Sequence, residues 1–511
     1  MPQLSNKKNY LFTFFSSFGG TILSSIIGFV SVPISLSYWQ AEKFGLWALI
    51  NSILIYLNMS NLGLNASAGT LMAKNPRVDD KLKILKRAAQ ILIISIGIFF
   101  TAFLLTDYYN KDWIMLLGKI PHNLKDEAYL TCFILAIFFF INLPFSLISS
   151  AFSGFQVAYI ENIFSLFIKI INLIVLLTVI SIKGNLVIFA IFMGSTNFIF
   201  NLVKLGYFYF FVIKKMDYLK NEMVNIQPNN EDTSYKSIFI TGIRFISIGL
   251  AAMVVWNTDY LVISNLLSVE KVTPYFITFS LYQMLFLIIF AINTAALPVL
   301  AKELGYNNWE WINHVYGKLL IIMGIIGGLV WLGGILFMRD FIIHIWTGKS
   351  GYAGLLTVFA FGGYAYLSGI VNLNSGVINS FNYIEGMPII AWFEAVLKLS
   401  LSVLFLQFFD IGGVALGTFL GSLLSVFWIT PILLIKRSNY KLKYNKVFIQ
   451  KHFSFVLLPL LILAIADQLF VDTLSIRILI GVVVMLLYIS LSYKLLSDEE
   501  RFFLKNLLKL S

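Results

Sequence analysis

Residues 88–108 read Ala88-Ala89-Gln90-Ile91-Leu92-Ile93-Ile94-Ser95-Ile96-Gly97-Ile98-Phe99-Phe100-Thr101-Ala102-Phe103-Leu104-Leu105-Thr106-Asp107-Tyr108. No charge interrupts the run before Asp107, and four cations (Lys81, Lys83, Lys86, Arg87) stand just ahead of it. A helix crossing ~30 Å of hydrocarbon needs about 20 apolar residues, so this block reads as a membrane span. Blocks of the same kind lie near 10–37, 45–72, 128–151, 162–182, 185–212, 237–265, 274–300, 315–338, 352–378, 388–408, 412–435, 449–470 and 473–494. With 88–108 they make fourteen expected transmembrane helices.

The whole chain agrees. Of its 511 residues 59% are apolar or aromatic and 12% charged, with a mean hydropathy of +0.85. Soluble proteins carry roughly 45–50% apolar and about 25% charged residues. Soluble α/β enzymes, disordered chains and disulfide scaffolds are thereby excluded. No run alternates as an outer-membrane barrel strand does, so the fold class is an all-α membrane protein. The first block is too long for a signal-peptide core and no small-residue cleavage site follows it, so Met1 to Lys8 reads as a tail ahead of a retained helix. Cys132 stands alone and permits no internal disulfide. The four histidines are scattered without a second ligand at metal spacing, so neither a metal nor a cofactor is expected.

The net charge of +12 speaks of topology, not of nucleic acid, in a protein of this composition. With the N-terminus inside, twenty-four of the 37 Lys and Arg residues fall in cytoplasmic segments and nine in outside loops. Both termini are then cytoplasmic, which requires an even number of spans. The segment from Lys214 to Lys236, with Gln227-Pro228-Asn229-Asn230-Glu231-Asp232 in its middle, reads as a flexible linker. It separates a six-helix bundle at 1–213 from a second at 237–436. Two additional helices occupy 437–495, and 496–511 reads as an amphipathic tail on the inner leaflet, with acids in its first turn. No loop is long enough to fold as a catalytic domain, so no catalytic residue is expected.

Shifting the chain by 228 residues aligns 42–74 with 270–302 without a gap. Identities fall at Glu42/Glu270, Lys43/Lys271, Ser52/Ser280, Leu57/Leu285, Asn65/Asn293, Ala68/Ala296, Ala73/Ala301 and Lys74/Lys302. The shift carries span 2 onto span 8 in the same orientation. It therefore predicts a parallel repeat of two pseudo-symmetric six-helix bundles, with the last two helices outside the duplication.

Three stretches carry a resemblance: Glu42-Lys43-Phe44-Gly45-Leu46-Trp47, Asn61-Leu62-Gly63-Leu64 and Asn257-Thr258-Asp259-Tyr260-Leu261-Val262-Ile263-Ser264. They are similar to segments of polysaccharide flippases, the O-antigen-unit translocase group of the multidrug/oligosaccharidyl-lipid/polysaccharide exporter superfamily. That family often has Asp where this chain has Asn61. The resemblance implies a V-shaped pair of bundles in the bacterial inner membrane. It also implies a substrate, an undecaprenyl-diphosphate-linked oligosaccharide carried from the cytoplasmic to the periplasmic leaflet. H+ or Na+ as coupling ion, and a polysaccharide polymerase with its chain-length machinery as partners, go with it. An ion-coupled multidrug or metabolite exporter and a lipid II flippase are the alternatives within the same superfamily.

Ionisable side chains deep in a bilayer cost at least ~2.5–3.5 kcal/mol and normally face a wet cavity or a partner. Four cations are embedded: Lys169, Lys204, Arg244 and Lys398. Lys204 is near the basic inner end of its span and is expected to snorkel. Arg244, Lys398 and Lys169 are the candidates for a cationic cavity open to the inside, which a diphosphate would need; Arg244 ranks first for its fork geometry. Glu394 lies one turn before Lys398, so a local pair competes with that reading. Asp259 and Asn257 are polar or coupling candidates on span 7. Asn65 and Asn293, related by the repeat, could meet sugar hydroxyls or simply join helices. Gly413, Gly417 and Gly421 recur every fourth residue, as close helix packing requires. Thr347-Gly348-Lys349-Ser350 resembles the end of a phosphate loop, but Ile343 stands where that pattern needs Gly, so no ATP site is expected.

Overall fold

The computed structural model describes residues 2–75, 77–213, 233–381, 386–444, 446–471 and 473–501. The core of the expected linker, 214–232, and most of the expected tail, 502–511, lie outside the described residues. Among the described residues every regular element is a helix and none is a strand. Eleven helical stretches are long and apolar enough to cross a membrane. The chain is an all-α, multi-pass membrane protein.

Two compact units divide the chain, Met1–Val272 and Thr273–Ser511. The first holds α1 (Pro2–Leu57), α2 (Leu64–Lys74), α3 (Val78–Tyr109), α4 (Lys125–Asn142), α5 (Ser146–Gly154), α6 (Ala158–Ser181), α7 (Leu186–Tyr207) and α8 (Tyr235–Leu266). Gln40, at φ 60° and ψ 176°, breaks α1 where the sequence places a loop between 37 and 45. Just past the break, Lys43 Nζ pairs with Glu127 Oε2 at 2.7 Å, and the other oxygen of Glu127 accepts from Leu186 N–H.

Two spans expected as continuous are interrupted. Span 45–72 passes through a 3-10 turn at Asn58–Asn61, after which Leu62 (φ 51°) and Gly63 (φ 68°) are left-handed. The backbone of Gly63 lies against Gly242 of α8, so a Cβ there would overlap the Gly242 carbonyl. Asn61 Oδ1 accepts from Asn65 N–H, which satisfies one donor at the start of α2. Span 128–151 breaks at Leu143–Phe145, because Pro144 has no N–H to continue the helical ladder. On α3, Ile93, Ile94 and Ile98 are exposed whereas Ala88, Leu92 and Ser95 are buried, so one face meets lipid and the opposite face packs.

The second unit takes up most of α9 (Val269–Gly305) and continues through α10 (Trp309–Phe341), α11 (Leu355–Ser380), α12 (Met387–Leu424) and α13 (Val426–Arg437). After these come α14 (Lys446–Lys451), α15 (Leu458–Phe470) and α16 (Leu474–Leu495). Phe409 and Asp410 are non-helical within α12, so its two halves fold back on each other. Gly413, Gly417 and Gly421 then sit against Phe405, Ser402 and Lys398 at distances that leave no room for a side chain. The expected role of that glycine series is met. The last helices are fastened to α10 by Arg477, whose Nη2 donates to Asp340 Oδ1 at 2.8 Å, and by Gln468, whose Nε2 donates to the Leu336 carbonyl.

Candidate substrate cavity

Helices α4, α6 and α7 and the second half of α1 enclose a cavity of about 330 Å³ in the first unit. Its walls alternate aromatic rings with carboxamides. Trp47, Phe138, Phe139, Phe164 and Phe200 supply the rings, and Asn51, Asn142, Asn197 and Asn201 the amides. Phe164 and Phe200 meet edge to face, 5.5 Å between centroids. Four asparagines at membrane depth are costly unless hydrogen-bonded, and three of them find protein partners. Asn201 Nδ2 donates to Asn142 Oδ1 at 2.8 Å, Asn142 Nδ2 donates to the Phe138 carbonyl, and Asn51 Nδ2 donates to the Trp47 carbonyl. Asn197 Oδ1 is buried and accepts no hydrogen bond.

Glu161 and Lys204 close one end. Lys204 Nζ donates to both carboxylate oxygens of Glu161, at 3.1 and 3.2 Å, and to Ser149 Oγ at 2.8 Å. Lys204 is buried, so the ammonium does not snorkel to the interface as the sequence suggests. Its counter-charge is close enough to make pairing cheaper than a path through hydrocarbon. Glu161 also lines a second cavity of about 480 Å³, together with Asn65, Thr70 and the serines 146, 149, 150 and 153. The ion pair therefore stands in the wall between two cavities. Sequence reasoning missed this cluster because its members lie on three helices, and only the depth of Lys204 hinted at a partner.

The residues singled out from the sequence divide between the units. Arg244 is on α8, two residues past the Gly63–Gly242 contact, with its side chain outside the described residues. Lys169 is exposed on α6 and is not part of the cavity lining. Asp259 is buried on α8; its neighbour Thr258 lies 2.6 Å from Tyr56 Oη, hydroxyl to hydroxyl. Asn257 Nδ2 reaches the Met253 carbonyl at 3.5 Å. Asn65 Oδ1 accepts from Ser146 Oγ, which ties α2 to α5. In the second unit Lys398 is wholly buried, one turn from Glu394, whose carboxylate is hydrogen-bonded to Ser422. Asn293 is buried and donates to Asn372 Oδ1 at 2.8 Å, which ties α9 to α11. The structure thus brings together Glu394 with Lys398, and the described residue Lys169 is not among those that line the cavity of α4, α6 and α7.

No family model matches the chain. A Salmonella typhi protein named for O-antigen transport is 21% identical over 434 residues, which span 83% of this chain and 95% of the relative. This chain resembles O-antigen transporters. A Yersinia pseudotuberculosis protein named for O-antigen export extends the likeness, at 25% identity over 437 residues, 81% of this chain and 93% of the relative. Among solved structures, the lipid II flippase MurJ in an inward closed conformation matches with a TM-score of 0.67 at 15% identity, over 95% of this chain and 99% of that one. An inward-facing multidrug resistance MATE family transporter of the MOP superfamily matches with a TM-score of 0.62 at 14% identity, over 83% and 96%. The fold is that of MOP-superfamily transporters, and the resemblance read from three short motifs holds.

Proposed function

We propose that this chain is a flippase for undecaprenyl-diphosphate-linked oligosaccharide units. It carries them from the cytoplasmic to the periplasmic leaflet of the bacterial inner membrane by alternating access, in the assembly of a surface polysaccharide. The observation that carries this reading is the likeness to O-antigen transporters along more than nine-tenths of their length. A cavity lined by aromatic rings and four asparagines inside an apolar helical unit supports it.

The finer architecture belongs to the same proposal: fourteen spans, of which twelve form two repeated halves on either side of the 214–236 linker. The breaks at Gln40 and Asp410 each divide one long helical stretch into two spans, and α9 adds another to the eleven. Helix bounds support the 228-residue repeat. Moved by that amount, α3 falls on 306–337, α4 through α5 on 353–382 and α6 on 386–409. The observed helices run 309–341, 355–380 and, up to the break in α12, 387–408. The charge bias of the loops supports cytoplasmic termini. Arg244, Lys398 and Lys169 are proposed to counter the diphosphate. Asp259, Asn257, Glu394, Asn65 and Asn293 are proposed as polar or coupling groups, with H+ or Na+ driving the cycle and a polymerase taking the product.

The test is deletion of the gene in its host. Surface polysaccharide should vanish while lipid-linked units accumulate on the inner leaflet, and plasmid-borne protein should restore export. Lost viability with intact polysaccharide would point to the peptidoglycan precursor, and altered drug susceptibility alone would point to a drug exporter.

A further inference from the structure

We infer that the cavity of α4, α6, α7 and the second half of α1 is the saccharide subsite, taking a neutral sugar ring of the cargo and not its diphosphate; this rests on the flippase reading above. The charge balance argues first. Its two lining charges, Glu161 and Lys204, neutralise each other at 3.1 Å, so among the described lining residues no cation is left free for a phosphate and no anion for a cationic drug. The lining argues next. Trp47 and Phe138 line it with aromatic rings, a surface suited to the C–H faces of a sugar, while Asn197 Oδ1 and the amide valences of Asn51, Asn142 and Asn201 not used within the protein can match its hydroxyls. Asn197 Oδ1 adds a specific acceptor, since a buried carbonyl without a donor is costly until a ligand hydroxyl supplies one. A volume of about 330 Å³ lies at the lower end of the ~300–1,000 Å³ range of small-ligand sites. It therefore suits a part of an oligosaccharide, with the remainder outside. Such a site disfavours ligands that lack a hydroxyl at this point, because Asn197 Oδ1 would then stay unpaired.

Two measurements on the full-length protein test this in the native host. The first uses Asn197→Leu, which removes a carbonyl that bonds to nothing in the protein. A purely structural asparagine predicts unchanged or raised thermal stability together with unchanged export. The saccharide subsite predicts the same stability but export reduced about tenfold, the worth of one lost hydrogen bond. The second places a single thiol on the cavity wall as Met193→Cys in a Cys132→Ala background and follows its maleimide labelling in isolated membranes. Membranes from cells that make the lipid-linked units should label about tenfold more slowly than membranes from cells lacking the initiating sugar transferase, as at nine-tenths occupancy. Undecaprenyl diphosphate added to the latter should not protect. Equal labelling in both membranes, or protection by undecaprenyl diphosphate alone, would overturn the subsite. If wild-type protein restores export in the deletion strain while both results are negative, the subsite falls and the flippase stands. If wild-type protein fails to restore export, the flippase reading falls first.

Discussion

Lys204 Nζ lies 3.1 Å from Glu161 Oε2, and the pair is embedded where α5, α6 and α7 converge. Glu161 faces two cavities at once, so the pair both cancels a buried charge and forms a partition. Glu161→Gln leaves the ammonium without its counter-charge and should cost ~3–5 kcal/mol of stability. The combined Glu161→Gln, Lys204→Met protein removes both charges and should recover most of the stability. Thermal unfolding in detergent reads both effects, and equal stability of the single variant and wild type would refute the burial argument.

Gly63 combines a left-handed backbone with contact to the Gly242 carbonyl. Gly63→Ala adds about 1–2 kcal/mol of backbone strain and a steric overlap that must push α8 away from α2. The protein level in the membrane should fall severalfold. Gly97→Ala, on a lipid-facing stretch with nothing within reach of a Cβ, should leave it unchanged.

Arg477 is buried, with Nε and Nη1 unpartnered and Nη2 on Asp340. Arg477→Ala strands the Asp340 carboxylate and should cost ~3–5 kcal/mol, felt where α15 and α16 meet α10. Limited proteolysis should then cleave near 438–445 at least several times faster than in wild type.

Arg244→Ala should abolish glycan export while the protein stays in the membrane at its normal level, because the proposed route then lacks the cation that counters the diphosphate in hydrocarbon. Arg244→Lys keeps the charge but loses the fork, and should retain part of the export. Surface-polymer staining together with immunoblotting of membranes distinguishes the outcomes, and full export by the alanine variant would remove Arg244 from the route.

Reporter fusions after Lys236 and Lys446 should both report cytoplasm, as the Lys and Arg distribution requires. A periplasmic signal at either place would invert the proposed topology.

Most of the helix inventory was legible in the sequence. The length of an apolar run is a local property, and the bilayer imposes one thickness on every span. The interruptions were harder to see. Pro144 is a visible breaker, yet apolar context hid it; the turn at Asn58–Gly63 is stabilised by Gly242, far along the chain, and no local pattern announces that contact. The glycine series of α12 was legible because its spacing repeats the helix period.

Composition, run length and loop charge were enough to identify an all-helical membrane protein, and three short motifs were enough to suggest a resemblance to polysaccharide flippases. Partnership was decided only in three dimensions. Lys204 looked like a snorkelling residue because sequence reports its depth but not what stands opposite, and Glu161 is brought opposite only by the way α6 packs on α7. The asparagines of the cavity were likewise scattered single letters until four helix faces turned inward together. Depth along a helix follows from counting residues, whereas the direction a side chain faces depends on the rotation of every neighbouring helix, and that is set by packing.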